Sequence, residues 1–226
     1  MSDHPATGPD EHPAPRVRDM PAPRESQGVA GPAMRFVFMW PYRAILAGLY
    51  RLGVRPWQLT LASLATNVIV GWLFLTGRRF LPGLLLIPAG LFDIFDGAVA
   101  RLRGEERRSG AFLDSVLDRV SDVILFSCLY WSLAGKGDRL EAGLALATLV
   151  ITLMVSHIRA AAEAVDVSLS EGFFQRLERF LALMIGLMVP GALLLMLALL
   201  VALGGATVLQ RGWSAMRRVP AARGGR

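Results

Sequence analysis

Asp93, Asp96, Asp114, Asp118 and Asp122 fall at the end of one long apolar run and inside the next. Carboxylates in such surroundings are costly to bury, so they face one another, a cation or a water-filled cavity. Asp93 and Asp96 are three residues apart, Asp114 and Asp118 four, so each pair occupies one face of its helix. The basic, Gly-containing segment 101–110 between them reads as a turn. If one helix leaves a membrane near Arg101 and the next re-enters near Ser109, Asp96 and Asp114 lie at matching depth, roughly 7–8 Å at ~1.5 Å per residue. Asp93 and Asp118 match one turn deeper. Four like charges so placed need compensating cations. Hard oxygen donors on rigid helices suit Mg2+, Mn2+ or Ca2+, and the charge suits two ions.

Asp93-x-x-Asp96-Gly97-x-x-Ala100-Arg101, eight residues, Gly110-x-x-x-Asp114-x-x-x-Asp118 resembles the complete signature of the CDP-alcohol phosphotransferases. The resemblance implies an integral-membrane enzyme that moves a phosphatidyl group from CDP-diacylglycerol to an alcohol hydroxyl and releases CMP. It implies two divalent cations, Mg2+ or Mn2+, held by Asp93, Asp96, Asp114 and Asp118. Asp118 is also the expected catalytic base, taking the proton of the acceptor hydroxyl. Thr60, Gly97, Ala100, Arg101 and Gly110 are expected to bind the nucleotide. Thr60 belongs to Pro56-Trp57-Gln58-Leu59-Thr60, where the family usually has Asn at the place of Trp57. A homodimer is a further family expectation.

The segments Ser156-His157-Ile158-Arg159 and Gly172-x-x-Gln175-Arg176-x-Glu178-Arg179 are similar to the phosphatidylinositol-phosphate synthase branch of that family. Arg159, Arg176 and Arg179 then rim the acceptor site, since guanidinium forks suit phosphate. Inositol phosphate is the expected acceptor. Ser115 favours this branch, because glycerophosphate-transferring relatives tend to have Pro there; Ala161 stands where the branch commonly has a second basic residue. Glycerol phosphate, serine or another alcohol are the alternatives. A non-enzymatic cation pathway is the reading from another class, and it would not need Gly97 or Gly110.

These residues have to be carried by membrane helices. Hydrophobic residues make up 54% of the 226, with a mean hydropathy of +0.46, high for a soluble protein. The net charge is +6, but the arginines cluster at the ends of apolar runs. That favours anionic lipid and phosphate over nucleic acid as partners. The expected fold is all-α, with six transmembrane helices at about 56–76, 81–102, 110–133, 140–165, 172–189 and 192–209. An interfacial amphipathic helix over 34–53 precedes them, with Trp40 and Tyr42 at headgroup level. Residues 1–33 read as a disordered tail without signal-peptide character, 56–211 as the catalytic domain and 212–226 as a basic tail. Cys128, the single cysteine, reads as a packing residue. Arginines of the turn 101–110 and of both terminal regions share one side, against Arg78, Arg79, Lys136 and Arg139 on the other. The positive-inside bias puts both termini and the acidic hairpin in the cytoplasm, across a plasma membrane of bacterial type.

Overall fold

A computed structural model describes residues 31–167 and 176–218 together with Val17 and Met20; the side chains of residues 31–38 and Arg176 lie outside that description. The described elements are helices: α1 (Gly31–Arg51), α2 (Pro56–Leu75), α3 (Phe80–Arg103), α4 (Arg108–Gly135), α5 (Arg139–Glu163), α6 (Arg176–Met188) and α7 (Leu193–Arg218). Local chemistry sets their ends. Pro56 opens α2, where its missing N–H costs nothing, and the Gln58 side chain accepts the Arg55 N–H at 2.8 Å. Gly104, at φ 63°, closes α3; its N–H reaches the Arg101 carbonyl, and the Glu105 N–H reaches that of Ala100. This reciprocal pair is the Schellman ending that a left-handed glycine permits. Only residues 104–107 separate α3 from α4.

Six helices close into a ring in the order α2, α4, α5, α7, α6, α3 and back to α2. Among the described residues, α3 and α4 do not pack on one another directly although they are consecutive. The hairpin expected from the acidic spacing is therefore splayed, with α2 bridging its two arms. The bridge is specific. Ser63 of α2 donates to the Ala89 carbonyl of α3 at 3.0 Å, and Asn67 donates to the Ser63 carbonyl at 3.0 Å. One turn on, a Cβ at Gly71 would meet Ile124 Cγ2 of α4 at 2.9 Å and Cys128 Sγ at 3.2 Å. Cys128 is thus a packing residue. Phe74, Leu86, Leu125, Leu129, Leu183 and Leu197 form the shared core.

The outward faces are apolar as well: Trp72 is 62% exposed and Trp131 71%. Charge inside and hydrocarbon outside is the arrangement of a protein dissolved in lipid. By length and composition, α2, α3, α5 and α7 can each cross a membrane. This is an integral membrane protein. α4 has 28 residues but carries Asp114, Asp118, Arg119 and Asp122. The 13 residues of α6 cover about 20 Å, short of a ~30 Å hydrocarbon layer. At the ring's other end, the α2–α3 and α4–α5 turns meet, where Arg79 pairs with Asp138 at 3.2 Å and Lys136 donates to the Gly77 carbonyl.

Some boundaries differ from the sequence expectation. α1 begins at Gly31 rather than 34, and α7 runs to Arg218 rather than 209, because Gln210–Arg218 keeps helical character past the apolar block. Tyr42 faces the protein rather than standing clear of it. It is buried and stacked on Phe95 of α3, ring centres 5.1 Å apart, while Trp40 is 75% exposed. Met20 is buried in the same cluster as Tyr42, Leu46 and Leu59. The rest of the expected disordered tail, like residues 219–226, lies outside the described residues.

The close approach at Gly71 yields a test. Gly71→Leu should overpack the α2–α4 contact and lower stability by about 1–3 kcal/mol. Gly143→Leu, where an added Cβ meets nothing within 4 Å, should leave the thermal midpoint in detergent near wild type. Equal midpoints for the two variants would show that α2 and α4 are not clamped there.

Candidate active site

Asp93 on α3 and Asp114 and Asp118 on α4 each offer a carboxylate oxygen, and these oxygens lie within 4.8 Å of one another. The helical periods of three and four residues turn all three inward, and α2 sets the gap between their helices. Asp96 stands outside this trio. It is buried, and its Oδ2 accepts the Thr60 hydroxyl of α2 at 2.9 Å. The charges of Asp114 and Asp93 still act on it. The structure therefore gathers three of the four expected ligands and leans the fourth toward α2.

Beside the acids lies a cavity of about 730 Å³ between the start of α2, the end of α3 and the start of α4. All five residues expected at the nucleotide, Thr60, Gly97, Ala100, Arg101 and Gly110, line it, as do Asp96 and Asp114. The glycines matter for different reasons. A Cβ at Gly97 would come within 3.3 Å of an Arg101 guanidinium nitrogen, whereas one at Gly110 would stand in open space inside the cavity. Arg101 also interacts with the Tyr42 hydroxyl, so α1 reaches this wall. Trp57 lines the cavity too. From the residues alone it reads as an interface anchor; the turn at Arg55-Pro56 also places it at the cavity mouth, where it stays half exposed.

The arginines expected at the acceptor are less alike than their spacing suggests. Arg159 donates through Nε to Glu163, one turn on, at 2.9 Å and is largely exposed. Arg179 reaches across the ring to Asp122 of α4 at 3.4 Å, with both side chains mostly buried. The side chain of Arg176 lies outside the described residues. Asp122 therefore pairs with Arg179, while Arg119, three residues before it on α4, donates to the carbonyl and hydroxyl of Ser115. Arg211 of α7 joins this group: it is buried, it points a guanidinium nitrogen at the Val155 carbonyl of α5, and it feels the charges of Arg159 and Arg179. The sequence reading counts Arg211 only among the C-terminal arginines. Its position directly after an apolar helical run was the available signal.

This is a site with clustered hard oxygen ligands, an adjoining cavity with glycine walls and a patch of guanidinium groups. Residues 54–210 match the model of the CDP-alcohol phosphatidyltransferase family. The chain belongs to that family. It is 31% identical over 165 residues to the phosphatidylinositol phosphate synthase of Mycobacteroides abscessus, covering 72% of this chain and 75% of that one. It is also 31% identical over 181 residues to the archaetidylinositol phosphate synthase of Pyrococcus horikoshii, covering 79% and 93%. Crystal structures of the Mycobacterium tuberculosis phosphatidylinositol phosphate synthase align with a TM-score of 0.71 at 32% identity over 81% of this chain. One has CDP-DAG bound and is covered to 96%; the other is a complex with manganese and citrate, covered to 92%.

This CDP-alcohol phosphatidyltransferase is a metal-dependent enzyme, and its acids fit a divalent ion. Ligand oxygens 2.0–2.6 Å from one ion lie within roughly 5 Å of each other, and the Asp93–Asp114–Asp118 trio meets that limit. An all-carboxylate set among the described residues favours Mg2+ or Mn2+ over softer metals.

Thr60 gives a specific test of the phosphatidyltransferase site. Thr60→Val keeps the shape but removes the hydroxyl donated to Asp96. A charge-assisted hydrogen bond of this kind is worth about 1.5–3 kcal/mol, so CMP release at limiting Mn2+ should fall about tenfold or more. Activity and Mn2+ dependence equal to wild type would show that Asp96 holds its position without Thr60.

Proposed function

We propose that this enzyme transfers the phosphatidyl group of CDP-diacylglycerol to a hydroxyl of inositol phosphate, releasing CMP. The observation that carries the acceptor is the placement of Arg179, with Arg159 and Arg211 near it, at the same end of the ring as the acids. A phosphorylated acceptor needs such cations to approach a carboxylate cluster. The relatives named as inositol phosphate synthases support the same choice.

Asp93, Asp96, Asp114 and Asp118 would hold two divalent cations, which when bound neutralise the diphosphate and stabilise the charge on departing CMP. The protein's own residues do the rest. The cavity bounded by Gly97, Ala100, Arg101 and Gly110 holds the cytidine diphosphate with its lipid-linked phosphorus next to the acids. Asp118 accepts the proton of the acceptor hydroxyl as that oxygen forms its bond to the lipid-linked phosphorus. The P–O bond to CMP breaks, and the electron pair leaves with CMP. Arg159, Arg176, Arg179 and Arg211 orient the acceptor phosphate, which supplies the positioning on which phosphoryl transfer depends.

The proposal extends to the arrangement in the membrane. α4 and α6 complete six spans, the charges of α4 facing the ring interior. α1 lies along the interface, with exposed Trp40 outward and Tyr42 docked on α3. Both termini and the acidic site face the cytoplasm, where the nucleotide donor and polar acceptor are found. The catalytic domain begins at Pro56, follows α1 and ends within α7 near Arg211. The enzyme works as a homodimer in a bacterial plasma membrane.

The deciding assay measures CMP release by purified enzyme in detergent with CDP-diacylglycerol and Mn2+, offering inositol phosphate, inositol, glycerol phosphate and serine in parallel. Inositol phosphate should support turnover and inositol should not. EDTA should abolish it, and Asp118→Asn should lower kcat by at least about a hundredfold, the low end for a positioned base. Turnover with glycerol phosphate alone would move the acceptor assignment. A fully active Asp118→Asn would remove that residue as the base.

A further inference from the structure

Asp122 lies one turn beyond Asp118 on the same face of α4 and has no role in the reaction derived above. It is 4% exposed. Its carboxylate contacts Arg179 of α6, although α4 and α6 do not pack on each other directly among the described residues. We propose that Asp122 is a positioning residue for the acceptor: it fixes the Arg179 guanidinium so that its remaining donors meet the acceptor's phosphate. This inference rests on the reading that Arg179 binds the acceptor.

Three observations carry it. First, a buried ion pair is a poor device for stability alone, because desolvation offsets much of the attraction. The ring already has its own apolar contacts on both sides of α4 and α6. Second, Arg179 keeps capacity after Asp122 is engaged: its Nε is buried without a hydrogen-bond partner among the described residues, while an Nη makes the contact. A buried donor in that state is costly unless a ligand completes it. Third, Arg211 and Arg159 bring further positive charge to the same place. An Arg side chain is flexible, and like charges beside it would push it away. A carboxylate on the opposite side holds it.

The arrangement has a consequence for specificity. Asp118 and Asp122 are four residues apart on one helix, about 6 Å along its axis. The proposed base and the holder of the phosphate-binding arginine therefore ride on one rigid element. An alcohol lacking a phosphate can reach the base but gains nothing from Arg179. The pair selects phosphorylated polyols against their unphosphorylated counterparts.

The test uses the full chain in detergent with CDP-diacylglycerol and Mn2+, varying inositol phosphate, for wild type, Asp122→Asn, Arg179→Gln and the double variant. Asp122→Asn should raise the acceptor KM about tenfold or more, the scale of one charge-assisted hydrogen bond, and leave the donor KM and the half-maximal Mn2+ concentration within about twofold. Added to Arg179→Gln, it should raise the acceptor KM no further, because the two act through one contact. An altered Mn2+ requirement with an unchanged acceptor KM, or fully multiplicative effects, would overturn the proposal. If Asp122→Asn does not give folded protein, Asp122→Glu decides: it keeps the charge but displaces the carboxylate, so an unchanged acceptor KM would equally overturn it. A wild-type acceptor KM in Arg179→Gln would instead reject the underlying assignment of Arg179 to the acceptor.

Discussion

Three carboxylate oxygens within 4.8 Å of one another, inside a bundle of apolar helices, are the constraint on which the structure turns. Two unit charges at that separation repel by about 3–4 kcal/mol at an effective dielectric of about 20. Closing α3 onto α4 would raise that repulsion and remove the space in which a cation could relieve it. The chain resolves this by placing a third helix behind both. α2 hydrogen-bonds to α3 through Ser63 and meets α4 at Gly71. The gap between α3 and α4 becomes a set distance, and it is also the cavity.

The ring order follows from the same requirement. With α3 and α4 held apart, each finds its second neighbour on the far side, α6 for α3 and α5 for α4, and α7 closes between those two. The apolar core of Phe74, Leu86, Leu125, Leu129, Leu183 and Leu197 then fills one part of the bundle, and the titratable groups occupy the other. The division keeps the costly polar groups where water, cations and substrates can reach them. It also explains why the turns tied by Arg79–Asp138 and Lys136–Gly77 lie at the end away from the acids.

Much of this was legible in the sequence because it is local. The three- and four-residue spacings of Asp93–Asp96 and Asp114–Asp118 announce inward helix faces. Gly104 ends α3 by a backbone preference that needs no tertiary partner, and Pro56 opens α2 likewise. Gly97, Ala100, Arg101 and Gly110 line one cavity for the same reason, lying on either side of one short turn, and Thr60 joins them from the start of α2. What was not legible depends on contacts across the ring. Nothing near Asp122 in sequence marks Arg179 as its partner, and Arg119, the neighbour in sequence, turns back to Ser115. Tyr42 carries the composition of an interface residue, and only the arrival of Phe95 buries it. The splay of α3 from α4 is invisible to any periodicity, since a hairpin with a short turn reads as a packed pair.

The two phosphate-handling regions of such a site must use opposite chemistry. A diphosphate donor can be held by carboxylates because divalent ions stand between them. A phosphorylated acceptor has to arrive beside those carboxylates, and its own charge would be repelled by any that the ions leave uncompensated. In the proposed reading guanidinium groups from α5, α6 and α7 answer this, yet arginines free to swing would also pair with Asp93, Asp114 or Asp118 and quench the ligand set. Asp122 stands at the border between the two regions, where its charge can draw Arg179 away from the acids above it. One extra carboxylate on α4, a turn below the proposed base, therefore serves both sides: it keeps a cation out of the acidic site and keeps it where the acceptor needs it.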